Sequence, residues 1–193
     1  MPGTSCKEAI RLWEEKHQKP AAEEETVKLY AQVPPIEKMD DSLNQLEACV
    51  HLSLSTNSIE RIISLSKLKN LKILSLGRNQ IKRLVCLEDI GLTLEQLWIS
   101  YNIIEKLDGL QPCVKLHTLF ISNNKIKVWD EVAKLSNSPE LKNLLILGNP
   151  IYDEAENRLD MIPSVVKRVP QIEQVDGEMI DDHTRQLAEK AVP

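Results

Sequence analysis

The sequence predicts an α/β solenoid in which short parallel strands stack along a concave face and turns or short helices return the chain along a convex one. Three observations carry that expectation. Leucine and isoleucine recur in phase five times between residues 49 and 151, in the spacing L-x-x-L-x-L-x-x-N-x-I-x-x-I. The asparagines of that pattern, Asn57, Asn79, Asn102, Asn124 and Asn149, step by 22, 23, 22 and 25 residues, a period that belongs to stacked supersecondary units. Finally, 42% hydrophobic residues in a chain of 193 supply enough apolar surface for a continuous core.

Residues 1–46 read as an N-terminal helical cap and a degenerate first repeat. Ser5 and Glu8 have the spacing of a capping box, and they open an amphipathic helix with Cys6, Ile10 and Trp13 on one face. Glu23, Glu24 and Glu25 read as an exposed acidic loop. Ile36, Met39, Leu43 and Leu46 then mirror Ile59, Ile62, Leu65 and Leu68 of the next unit. Residues 47–152 hold the regular units, which are leucine-rich repeats. In each, the L-x-L alternation makes a strand with two side chains inward and one outward. The asparagine after it can donate and accept at once, satisfying backbone groups where the chain turns away from water. The I-x-x-I-x-x-L-x-x-L spacing that follows is near-helical and runs along the convex side. Residues 153–180 read as a C-terminal cap, with a helix-like stretch around 161–169. A polar helix opened by Asp181 or Asp182 lies within residues 181–193 and is expected to protrude.

Chemistry is conspicuous by its lack of motifs. The sequence contains no Gly-rich phosphate loop, no nucleophile elbow and no paired-histidine metal motif. His51 falls on an outward strand position and His117 beside one, neither with a carboxylate or thiol at ligand spacing. Cys49, Cys86 and Cys113 sit in the apolar register and read as core, whereas Cys6 reads as an exposed thiol. No enzyme activity, cofactor or metal is expected. The longest aliphatic run, 144–147, is far short of the roughly 18–20 residues of a membrane span. Charges such as Lys7, Arg11 and Lys16 break up any secretory apolar core, so a location inside the cell is expected, with no membrane contact. A formal net charge of -5 argues against a nucleic-acid partner.

What remains is surface. The central outward position reads Ser53, Ser75, Trp98, Phe120 and Leu145 across the stack. The only phenylalanine and one of three tryptophans thus stand side by side in a protein that is 4% aromatic. Together with Ile73, Arg78, Tyr101, Asn123 and Leu147 they form the expected partner-binding face. Its occupant is a partner helix or, alternatively, a terminal helix of the same chain. A second feature is the edge formed by Arg61, Lys82, Arg83, Lys106, Lys125 and Lys127, interleaved with Glu60 and Glu105. It reads as a solvated edge, with an acidic polymer such as a tubulin tail or RNA as the other reading.

The repeat consensus and the closing P-x-I-x-x-V-D-G, Pro170 to Gly177, resemble the leucine-rich repeat subfamily named for the phosphatase-1 regulator with 22-residue repeats. Within it, K-E-A-I-R-L-W-E-E-K (Lys7–Lys16), P-P-I-E-K-M-D (Pro34–Asp40), L-S-L-S-T-N-S-I-E (Leu52–Glu60), I-L-S-L-G-R-N (Ile73–Asn79) and L-W-I-S-Y-N (Leu97–Asn102) are similar to the axonemal outer-arm dynein light chain 1 family. The resemblance covers essentially the whole chain. It implies a non-catalytic subunit of a motor protein in the cytoplasm and cytoskeleton, at the axoneme of a cilium or flagellum. Such a subunit binds the dynein heavy chain at its stalk microtubule-binding domain through the concave hydrophobic sheet, modulates engagement with the microtubule, and has tubulin as a possible further partner. It also implies a motor-regulatory role for Met179, Asp181 and Arg185 in the C-terminal helix, although Glu178 follows Asp176-Gly177 where the family has methionine. The free protein is expected to be monomeric. The competing readings are a phosphatase-regulatory or scaffold repeat protein and a ribonucleoprotein-like repeat protein.

Overall fold

The computed structural model describes residues 3–153 and 157–191; residues 1–2, 154–156 and 192–193, at the margins of the expected caps and tail, lie outside the described residues. The chain is a leucine-rich repeat solenoid. Its eight-stranded sheet runs in sequence order: β1 (Thr26–Lys28), β2 (His51–Ser53), β3 (Ile73–Ser75), β4 (Gln96–Trp98), β5 (Thr118–Phe120), β6 (Asn143–Leu145), β7 (Gln174–Val175) and β8 (Glu178–Met179). Neighbours pair in parallel from β1 to β7, and β8 folds back antiparallel on β7. Register aligns Val27, Leu52, Leu74, Leu97, Leu119, Leu144 and Val175 into one fully buried column.

The asparagine column sets this register. Asn102 Nδ2 donates to Leu76 O and Ile99 O, each at 3.0 Å, and its Oδ1 accepts from the Ile81 amide at 2.9 Å. Asn57, Asn79, Asn124 and Asn149 repeat this arrangement, each tying its own coil to the one before. Beyond the last asparagine, Asp176, which directly follows the Val175 that pairs with Leu144, closes the final coil with a different set of bonds. Having no side-chain donor, it only accepts, from the Ile146 amide at 2.7 Å, the Leu147 amide at 2.9 Å and the Tyr152 hydroxyl. The residue before each asparagine is left-handed: Thr56, Arg78, Tyr101, Asn123 and Gly148 have φ of 56, 56, 58, 53 and 76°. Four of the five are not glycine; at Gly148 a Cβ would lie 2.6 Å from Oδ1 of the exposed Asn123, whose side chain would have to move aside.

At the N-terminal end α1 (Cys6–His17) is opened by Ser5, whose hydroxyl accepts from the Glu8 amide at 3.1 Å. Glu8 does not close the capping box; its carboxylate pairs with Arg11 at 2.6 Å. The helix buries Cys6, Ala9, Ile10 and Trp13 against the first coil. Cys6 is therefore not the exposed thiol expected from its place near the terminus. It is 0% exposed, its Sγ lies 3.6 Å from Lys38 O, and burial pushes the thiol up to about 12. Cys49 and Cys113 are core, but Cys86 is only half-buried. The first repeat is also more complete than expected, since β1 follows the acidic run and supplies its strand.

The convex side carries turns and the short α2 (Trp129–Ala133). The C-terminal cap is built on α3 (Ile162–Arg168), which buries Ile162, Val165 and Val166. The helix expected to protrude, α4 (Asp182–Lys190), instead docks on this cap: Ala188 is buried, and the Arg185 guanidinium donates to Pro170 O at 3.0 Å and Ile172 O at 2.9 Å. A nearly all-polar helix is held here by charge-assisted bonds to backbone carbonyls rather than by an apolar stripe.

Two outcomes follow. Asn102→Ala leaves the Ile81 amide unpaired in the interior and takes one of two asparagine donors from each of Leu76 O and Ile99 O, and urea unfolding should register a loss of about 1–3 kcal/mol. Arg185→Ala should raise amide exchange across residues 182–190 by about tenfold while the solenoid melts unchanged; equal protection in both proteins would mean that the arginine does not hold the helix.

Candidate protein-interaction face

Strand register fixes which side chains share the concave face. One row runs His51, Ile73, Gln96, Thr118, Asn143 and Gln174; the next runs Ser53, Ser75, Trp98, Phe120 and Leu145. Neighbouring strands lie about 4.8 Å apart, close enough for large side chains in one row to touch. Trp98 and Phe120 stack with centroids 5.9 Å apart and planes 22° apart. On the other side of Trp98, His51 meets its edge at 5.5 Å and 72°. The indole is further oriented by its Nε1–H, which donates to Gln96 Oε1 at 3.1 Å. His51 Nε2 lies 3.1 Å from Ser75 Oγ. Ser53 and Ser75, expected to point outward, are in fact buried, as are Thr118 and Ser122 further along the stack. The N-terminal half of the face is thus a low polar floor, and the half over β4 to β6 is an apolar ridge.

The expected partner-binding residues fall into two adjoining groups. Ile73, Trp98, Phe120, Leu145 and Leu147 are half-buried on the sheet, Leu147 packing against the core. Arg78, Tyr101 and Asn123 occupy consecutive left-handed positions and are exposed on the rim, with the Arg78 guanidinium 4.5 Å above the Tyr101 ring. No described helix folds across the face: α1 packs on the first coil and α4 on α3. The C-terminal trio is scattered. Met179 is 70% exposed and pairs in register with Gln174, at the end of the concave sheet. Asp181 caps α4, accepting from the Thr184 amide at 2.8 Å, and that bond holds its carboxyl below the usual range. Arg185 is committed to Pro170 and Ile172.

His51 and Gln96 are members of this cluster that residue-by-residue reading left out. Only the alignment of rows between repeats, not any motif, could have placed them beside Trp98. On the basic edge, Lys82, Arg83, Lys106 and Lys125 line a groove of about 640 Å³ floored by Leu84 and Ile103, but Glu105 and Asp108 line it too, and Lys134 pairs with Asp108 at 2.7 Å. Among the described residues no group of three or more His, Cys, Asp and Glu side chains gathers as a metal ion would need. No described helix is long and apolar enough to cross a membrane.

With this geometry in place, relatives can be compared. The chain is 47% identical over 195 residues to Dynein axonemal light chain 1 of Chlamydomonas reinhardtii, covering 97% of this chain and 96% of that protein. It is 51% identical to the Danio rerio protein of that name, over 90% of this chain and 91% of the relative, and 52% identical to the Homo sapiens one, over 90% and 92%. Among solved structures, internalin C2 of Listeria monocytogenes superposes with a TM-score of 0.55 at 25% identity, covering 69% of this chain and 54% of that one. The Drosophila melanogaster SNF/U2A' complex gives 0.51 at 19%, covering 81% and 75%, a likeness of fold alone. No family model matches the chain.

The aromatic cluster carries its own pH dependence. Burial, reinforced by Lys28, holds His51 below the ordinary imidazole value of about 6.5. Its neutral form is favoured by folding, so this contribution to stability is complete above that pH and is lost as acidification proceeds below it. Proton NMR titration of the His51 ring should give a midpoint below that of unfolded histidine; a midpoint at or above it would contradict the packing described.

Proposed function

The chain belongs to the axonemal dynein light chain 1 family, and on that premise we propose that it is a non-catalytic light chain of outer-arm dynein that binds the heavy-chain stalk microtubule-binding domain through its concave sheet. The observation that carries this reading is the Trp98, Phe120 and Leu145 row, a contiguous apolar ridge left uncovered by the described helices of the chain. Aromatic anchors in partly desolvated positions are the residues on which protein interfaces depend. Arg78, Tyr101 and Asn123 supply a polar rim beside them, the arrangement typical of a specific interface. A helix about 10 Å across fits a concave sheet of this kind, and its apolar stripe would cover the ridge.

The relatives' name, carried over nearly the full length, supports the dynein reading over a phosphatase-regulatory or ribonucleoprotein role, and with it a location at the axoneme. In this reading the chain performs no chemistry. It acts by binding two states of the stalk head unequally, because a ligand shifts a conformational equilibrium only by the ratio of its affinities for the two states. Tubulin enters as the track beneath that head. Met179 and Asp181 are exposed at the C-terminal end of the sheet and can meet the motor directly, whereas Arg185 acts by holding α4 in place.

A recombinant outer-arm stalk-head fragment should bind the wild-type chain. Trp98→Ala with Phe120→Ala should weaken that binding by about 2–4 kcal/mol, and Arg61→Ala, on the convex edge, by less than about 0.5 kcal/mol. Calorimetry on folded variants decides it. Failure of the wild type to bind overturns the stalk-head partner; equal binding by the double variant overturns the concave face as its site.

A further inference from the structure

The sheet has one open edge at its N-terminal end. The Leu29 amide donates to Ser53 O at 2.7 Å and the His51 amide donates to Glu25 O at 2.8 Å, so residues 25, 27 and 29 turn their backbone groups toward β2. Alternation along an extended chain turns the amides and carbonyls of Thr26, Lys28 and Tyr30 the opposite way. Among the described residues no strand of the sheet lies there, because β1 is its first member. The Tyr30 carbonyl takes the Gln32 side-chain amide at 3.2 Å.

The N-terminal cap covers the apolar interior and stops short of this edge. Cys6, Ala9, Ile10 and Trp13 of α1 seal the first coil, while Leu12 and Lys16 of the helix and Thr26, Lys28 and Tyr30 of the edge are exposed. Between them lies a groove of about 650 Å³, with Thr26, Lys28 and Tyr30 on one side and Leu12, Trp13 and Lys16 on the other. The helix wall is stiffened by stacking of Trp13 on His17, centroids 4.1 Å apart, with Lys19 held by Glu24 at 2.6 Å. Lys16 and Lys28 are exposed on opposite sides, which makes this groove cationic in a chain of net charge -5.

We propose that this edge is a docking site at which an extended, acidic segment of a partner protein adds a strand to β1. Main-chain hydrogen bonds to the outward groups of Thr26 and Lys28 give the register, and carboxylates placed at alternate positions meet Lys28 and Lys16. A second copy of this chain is a poor occupant, since edge-to-edge pairing would set the lysines of both copies against each other. The site lies at the opposite end of the sheet from β8 and does not overlap the Trp98 to Leu145 ridge, so it stands whether or not the ridge binds a dynein stalk.

The test uses the full chain and a fluorescein-labelled eight-residue peptide of alternating glutamate and valine, followed by anisotropy. Saturable binding is expected. Methylating alternate peptide amides, Thr26→Pro, which removes an outward N–H and no N–H of the ladder to β2, and the Lys16→Glu/Lys28→Glu pair should each weaken it at least tenfold, while Trp98→Ala leaves it unchanged. Circular dichroism establishes that each variant folds, and if Thr26→Pro does not, the methylated peptide on the wild-type chain decides alone. No binding overturns the proposal. Binding that backbone methylation leaves intact also overturns it, reducing the groove to charge attraction. A dimer by sedimentation that Thr26→Pro disperses would make a second copy the occupant instead.

Discussion

Every regular coil of this molecule leaves its strand past an asparagine, half-buried at Asn57 and buried at the other four, whose amide reaches two coils at once. The side chain donates to one carbonyl of its own coil and one of the coil before, and accepts from an amide of that earlier coil. A backbone turning inside a core must satisfy its polar groups there, and each group left unpaired would cost roughly 1–3 kcal/mol. The primary amide of asparagine has both donor and acceptor at the right reach. Because each bond set is shared between neighbours, the coils are locked in register as they are stacked, and cooperativity passes from one to the next. The last coil is closed differently, by Asp176 at the exit of the next strand, which accepts from the Ile146 and Leu147 amides.

Fixed register has a consequence on the other side of the sheet. Outward side chains are brought into rows by the ladder beneath them rather than by attraction for one another, so an apolar row can be maintained in contact with solvent. Trp98, Phe120 and Leu145 form such a row on successive strands, and the stacking of the two rings, the His51 edge and the Gln96 carbonyl oxygen fix the indole. A preorganised ridge loses little side-chain freedom when a partner arrives, which is how a small rigid face gains affinity. The caps leave it open because each has other work: α1 seals the first coil and α4 leans on α3.

The repeat, its register and the identity of the exposed row were legible in the sequence because leucine, isoleucine and asparagine recur at positions that only one architecture satisfies. What was hidden shares a physical reason: it depends on backbone groups. β1 was missed because Gln32, not asparagine, occupies the turn after Val27 and Leu29, although Ala31 still adopts the left-handed conformation of its column. The left-handed column itself is carried by threonine, arginine, tyrosine and asparagine, residues that give no glycine signal. Helix α4 looked free because its periodicity is polar, and Arg185 binds carbonyls that no hydropathy pattern reveals. Cys6 lies near the terminus in sequence yet beneath Lys38 and Asp40 in space.

The central claim is that the ladder-supported apolar ridge is the surface that receives the motor. Titration of the isotope-labelled chain with a stalk-head fragment, followed through the indole N–H of Trp98 and the methyls of Leu145 and Leu147, addresses it without altering a residue. The account predicts that these signals shift together and saturate, with the Phe120 ring, while those of Arg61 and Lys127 stay in place. Saturating shifts confined to the convex edge, with the Trp98 indole unmoved, would contradict it.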